Sequence, residues 1–173
     1  DEQPGMVVLH HLLDLLEAAD KNDQLAAEFI IIPMVNPLGM AQIRQHHHSG
    51  RYDFTSGLNF NRAWPDFAAV IQQCNPNLLD ELGDDPDMNR GVILAAVEGW
   101  IAQQKPVTAL QALRLEIIKE AYDSDVILDL HCDVEAINHI YITPQLMPEY
   151  QDLADWMGSY VTLTAENSGG GSF

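Results

Sequence analysis

The chain has 173 residues, 47% of them hydrophobic, and its 26 Asp and Glu outnumber eight Lys and Arg to leave a formal charge of −18. That balance argues strongly against nucleic acid as a partner, because neutralising phosphates takes clustered cations. It also disfavours an anionic membrane surface, and no apolar run approaches the length that crosses a bilayer. Length and apolar content suffice for one sizeable core, so residues 1–173 are read as belonging to a single domain, and the two cysteines, Cys74 and Cys132, as reduced thiols.

From 6 to 19, Met6, Leu9, Leu12, Leu13 and Leu16 fall on one helical face, with Pro4 suited to the first turn. Residues 25–35 hold the continuous apolar run Phe29-Ile30-Ile31-Ile32, which predicts a strand covered on both faces. The stretch 36–65, rich in Gly, Asn, Ser and His, predicts a long loop of the kind that is usually functional or mobile. A short helix is expected over 66–73, then an acidic, turn-rich segment over 75–87 with Pro76 and Pro86 as breakers. Two helices follow, from Asp87 or Met88 to Gln104 and from Thr108 to Tyr122, with Thr108 as N-cap and Pro106 between them. Residues 125–131 read as a second buried strand, 140–143 as a third, 149–157 as a helix and 160–164 as a fourth strand. This alternation predicts an α/β fold, a three-layer α/β/α sandwich around a mostly parallel mixed sheet.

Three places carry chemistry. Asn61-Arg62 stands in Gly57-Leu58-Asn59-Phe60-Asn61-Arg62-Ala63-Trp64-Pro65. Arginine presents a planar, permanently charged fork matched to carboxylate oxygens and asparagine adds a neutral donor at the same edge, so the pair is a candidate carboxylate clamp. His131 ends the second predicted strand, and in open α/β sheets ligands gather outside the carboxyl ends of strands. A histidine there is by itself more often structural, but Asp129, two positions earlier, supplies a group that can orient it. The run His46-His47-His48 looks like metal chemistry, yet three consecutive residues cannot all face one ion in a regular element, and a solvated loop is expected.

Together with Glu2, these residues resemble the succinylglutamate desuccinylase and aspartoacylase branch of the zinc carboxypeptidase superfamily. Asp1-Glu2-Gln3-Pro4-Gly5 is similar to the second half of that branch's His-Gly-Asp/Asn-Glu-Xaa-Xaa-Gly element, and Asp129-Leu130-His131 to its strand-ending Asp-Leu-His. Asn61-Arg62, with Trp64 nearby, also resembles the Asn-Arg element of the digestive carboxypeptidases. Further matches at Asn36-Pro37-Leu38-Gly39, at Gly50-Arg51-Tyr52-Asp53, on to Asp133 and from Ser168 to Phe173 carry the resemblance over nearly the whole chain.

The resemblance implies a zinc-carboxypeptidase-like fold and one Zn2+ ion held by Glu2, His131 and a further His two positions before Asp1. It implies that Asp129 supports His131, that Cys132 is a small buried residue, and that Asn61 and Arg62 anchor the substrate carboxylate. Arg51, rather than Arg44, would polarise the scissile carbonyl and stabilise the oxyanion. Asn59 stands where many relatives carry an Asp that bonds the first zinc His, so it would orient that ligand but raise its basicity less. The general base, a late Glu in the family, is expected beyond Phe173 rather than at Glu166. The chain is accordingly read as the central part of a catalytic domain, cut at both ends and inactive by itself. The expected activity is hydrolysis of the amide bond of an N-acyl amino acid through zinc-activated water, in the cytoplasm. The alternatives are a zinc carboxypeptidase on short peptides and a metal-free binding domain that keeps the fold. Acyl group and oligomeric state are left open.

Overall fold

The computed structural model describes residues 2–132 and 135–166. Its elements run α1 (Gln3–Asp20), α2 (Pro37–Met40), β1 (Ile43–Arg44), β2 (His47–His48), α3 (Phe67–Cys74), a 3-10 turn (Leu78–Glu81), α4 (Pro86–Gln103), α5 (Ala109–Ala121), β3 (His139–Ile142), α6 (Met147–Trp156) and β4 (Val161–Thr164). The chain is thus mixed helix and strand. No described helix is long and apolar enough to cross a membrane.

Local chemistry explains the helix ends. Asp66 and Asp85 accept hydrogen bonds from the first backbone N–H groups of α3 and α4, so Pro86 opens α4 rather than breaking a helix. Thr108 caps α5 and Gln111 reaches back to it, a reciprocal capping box. Gly158 takes the left-handed conformation after α6, and Asp23 does so after α1.

The core lies between α3, the 3-10 turn and α4, where Ile71, Leu78 and Val97 are buried and Phe67, Val70, Val92, Ala96, Ile101 and Tyr122 pack against them. Phe67 and Trp100 meet edge to face with ring centroids 5.6 Å apart. Leu110, Leu115 and Ile118 bury one face of α5. On α1 the expected face is half-buried, while Val7, Val8 and Leu15 are exposed.

β3 and β4 run parallel, from His139 opposite Val161 to Ile142 opposite Thr164, with α6 as the crossover between them. This is the α/β element of the prediction. The two apolar runs expected as inner strands differ. Phe29 and Ile30 are 50% and 52% exposed, Ile127 and Leu128 51% and 56%. Among the described residues, neither 25–35 nor 126–130 makes a backbone–backbone hydrogen bond. A β-branched sequence becomes a buried strand only when another strand takes its N–H and C=O groups, and here none lies alongside. The accessible surface is correspondingly large, 12633 Å², against about 8,500 Å² for a compact monomer of this mass.

The stretch 36–65 is more organised than a loop. Asn36 caps α2 through Gly39 N. His47 and His48, expected to be solvated, form β2 and pair with β1 around a two-residue turn in which Gln45 and His46 both have positive φ. His48 Nε2 donates to the Gly39 carbonyl at 3.1 Å. Gln42 is the hub: its amide nitrogen donates to the carbonyls of Ser49 and Tyr52, and its oxygen accepts from Phe54 N. Asp53 then closes the next turn on Thr55 N, Ser56 N and the Ser56 hydroxyl. These bonds deliver Arg51 and residues 59–64 to a defined place.

Gly39 tests this framework. A Cβ there would stand 2.6 Å from the Gly50 carbonyl and collide with the Asn36 amide, whereas one at Gly83 meets nothing within 4 Å. Gly39→Ala is therefore expected to cost about 1–3 kcal/mol by overpacking, and Gly83→Ala to change stability by under about 0.5 kcal/mol. Urea unfolding measured side by side gives both values; equal effects would contradict the packed-loop description.

Candidate functional site

Glu2 and His131 are 129 positions apart in sequence and touch in space. Glu2 Oε2 lies 3.0 Å from His131 Nδ1 and accepts the Cys132 backbone N–H at 2.6 Å. It occupies the N-cap position of α1 but makes no side-chain cap, so its carboxylate serves the His131 segment instead of its own helix. Gly5, one turn into α1, allows that approach: a Cβ there would stand 3.3 Å from Leu130 Cβ.

Asp129 Oδ2 takes the other face of the ring, 2.8 Å from His131 Nε2. With a carboxylate against each nitrogen, both nitrogens are satisfied only as donors, and the ring favours the imidazolium. The His131 pKa is raised from 6.5 to about 9, chiefly by the Asp129 hydrogen bond, against the opposing effect of burial and with further help from the charges of Asp129 and Glu2. About half of the His131 side chain is exposed, so solvent weakens both ion pairs.

Asn61 completes the group. Trp64 Nε1 donates to Asn61 Oδ1 at 2.7 Å, which fixes which end of the amide faces the indole. The Asn61 Nδ2 group then faces His131 Nε2 at 3.1 Å and Asp129 Oδ2 at 3.5 Å. When Nε2 carries a proton, that nitrogen cannot accept, and Asp129 Oδ2 is the acceptor for both neighbours. Asn59 accepts the Asn61 backbone N–H at 2.9 Å and shapes the turn; the histidine it was expected to orient is not among residues 1–173. Cys132 is exposed rather than buried.

The arginines are placed differently from one another. Arg62 donates to the Asn61 carbonyl at 2.6 Å and is otherwise exposed, its fork turned onto the backbone of its own clamp. Arg51 is exposed, with no side-chain hydrogen bond or ion pair among the described residues, but its carbonyl accepts from the N–H of Phe60, the neighbour of Asn61. Arg44 lies in β1. Arg114 was not singled out from the sequence. From α5 it donates through Nη2 to the Asn59 carbonyl at 2.8 Å and through Nε to the Phe60 carbonyl at 3.3 Å, with its guanidinium carbon 5.9 Å from the Trp64 ring centroid. Its sequence signal was its place midway between Leu110 and Ile118, a cation in a buried apolar stripe.

For zinc, the donor chemistry is partly in place. Glu2 Oε2 and His131 Nδ1 are separated by 3.0 Å, close to the edge of about 3.4 Å that two bonds of about 2.1 Å subtend at a tetrahedral ion. Asp129 holds the far nitrogen of the ring, as an orienting carboxylate does for a metal-binding histidine. Among the described residues, no group of three His, Cys, Asp or Glu converges on one point. The residues thus fit one edge of a zinc site. Asp1, Asp133 and the Gly-rich 168–173 element lie outside the described residues. No protein-family model and no curated protein matches the chain.

The raised His131 pKa has a defined sign. Because it lies above the value of a free imidazole, these ion pairs stabilise fully below about pH 6.5 and are lost as pH rises through about 9. An NMR titration of the His131 ring is expected to give a midpoint near 9, and Asp129→Asn to move it down toward 6.5. An unchanged midpoint in that variant would show that Asp129 is not the principal cause.

Proposed function

We propose that this chain is the substrate-binding and metal-binding portion of a zinc-dependent amidohydrolase that cleaves the amide bond of an N-acyl amino acid. The observation that carries the reading is the convergence of Glu2 and His131, from distant segments, with Asp129 behind the ring and Asn61 beside it. That set has the donor types and orientation of one side of a zinc centre. Glu2 and His131 would hold zinc, which would supply a Lewis acid that lowers the pKa of water.

The remaining roles belong to the chain's own groups. Asp129 keeps the ring turned so that Nδ1 faces Glu2. Arg62 swings from the Asn61 carbonyl to the substrate carboxylate, where its fork makes two parallel hydrogen bonds. Arg51, exposed and without an ion pair among the described residues, stabilises charge developing on the amide oxygen. In this reading the parallel β3–β4 pair belongs to a three-layer α/β/α sandwich.

Two measurements test the reading. Zinc added to the 173-residue chain is expected to shift the His131 ring resonances, and Glu2→Gln to weaken that effect at least about tenfold, since a ligand is lost. In a zinc-supplied active form, assayed on N-acetylaspartate and N-succinylglutamate, Arg62→Lys should raise KM with kcat little changed. Arg51→Ala should lower kcat about a hundredfold. No response of His131 to zinc, or amide hydrolysis that survives chelation, would overturn the proposal.

A further inference from the structure

We propose that Arg114 is the positioning residue for Asn61, holding the 59–64 turn so that the Asn61 amide meets Asp129 and His131. This rests on the role given to Asn61 above, but its geometry stands by itself.

Arg114 grips the turn on both sides of Asn61. Its fork donates to the carbonyls of Asn59 and Phe60, immediately before Asn61, and its flat face lies over Trp64, three residues after it. Trp64 in turn donates from Nε1 to Asn61 Oδ1, and that bond directs Nδ2 toward Asp129 and His131. One guanidinium therefore fixes the backbone ahead of the amide and the ring that orients it.

The turn needs such a hold. Ala63 has φ 57°, a left-handed conformation that costs a side-chain-bearing residue about 1–2 kcal/mol. The Trp64–Asn61 hydrogen bond spans this residue, and the grip of Arg114 on the Asn59 and Phe60 carbonyls adds to the hold. The choice of arginine is also informative. Although the chain has 26 acidic residues, Arg114 has no carboxylate partner among those described, and burial lowers its pKa. A partly buried cation given two carbonyls and an indole face directs its hydrogen bonding to the turn. Hydrogen bonds from a charged donor are stronger than a neutral Gln could make, and the planar fork reaches two successive carbonyls, which Lys cannot.

The test reads the turn directly, by NMR of the 173-residue chain without zinc or substrate. Arg114→Met is expected to speed exchange of the Trp64 indole proton at least about tenfold and to shift the Asn61 side-chain amide signals, while Leu115 and Ile118 amides in α5 stay protected. Arg114→Lys should recover part of the effect, and Lys119→Met, on the same helix, should have none. Should Arg114→Met unfold α5, Trp64→Phe approaches from the other end. It keeps a ring under the guanidinium and should still shift the Asn61 amide. Unchanged Trp64 and Asn61 signals in Arg114→Met, an equal effect of Lys119→Met, or an unmoved Asn61 amide in Trp64→Phe would each overturn the proposal. Because no zinc or substrate is present, these outcomes are independent of whether the hydrolase reading holds. Where turnover is measured, Arg114→Met should raise KM more than it lowers kcat, with Arg114→Lys between.

Discussion

His131 lies between two carboxylates, one from the second residue of the chain and one from its own segment, and neither neutral tautomer of imidazole suits that position. A proton on Nε2 alone leaves the Nδ1 lone pair against Glu2; a proton on Nδ1 alone leaves the Nε2 lone pair against Asp129. The arrangement requires a cation at the ring, either a second proton or a metal ion in its place. That requirement explains why Glu2 leaves α1 without a side-chain cap, normally worth about 1 kcal/mol. It also ties α1 to the 129–132 segment.

The cations of the chain are few, and their placement is selective. Lys21, Arg90 and Lys119 form ion pairs with Glu17, Asp125 and Glu116, all at the surface, where such pairs contribute little. Arg51, Arg62 and Arg114 all stand on or against the 51–62 hairpin, and none of them has an ion pair among the described residues. In a chain of charge −18 this gathers three of the eight Lys and Arg residues on or against one segment and concentrates positive potential there.

What could be read from the sequence follows from how local each signal is. The start of α5 is legible because its cap, Thr108, acts within three residues, and α1 is legible because its apolar spacing is periodic; α3 and α4 are legible to within two residues, their caps Asp66 and Asp85 being ordinary acidic residues in sequence. Pro86 was misjudged since a proline reads alike as breaker and as first helical residue. Residues 36–65 read as a loop because their order comes from single side chains such as Gln42 and Asp53 that bond across several positions, a pattern without a period. The pairing of Glu2 with His131 was reachable only through resemblance, since composition gives a terminal glutamate no role. Arg114 escaped because its partners are backbone carbonyls, which leave no mark on sequence.

The unpaired runs at 29–32 and 126–130 bear on the site as well as on the fold. In an α/β sheet a residue at a strand's end inherits its precision from the ladder behind it. Among the described residues the backbone leading to Asp129 and His131 has no ladder, and the bonds of Glu2 and Asn61 to these side chains restrain it instead. Such bonds, half in solvent, open more readily than a sheet does. A strand laid along 126–130 would cover Ile127 and Leu128, take up the backbone N–H and C=O groups, and fix Asp129 and His131 from behind. In the proposed reading, anything that restrains this backbone also holds the Glu2–His131 pair, because Glu2 bonds to His131 and to the Cys132 N–H, both within residues 129–132.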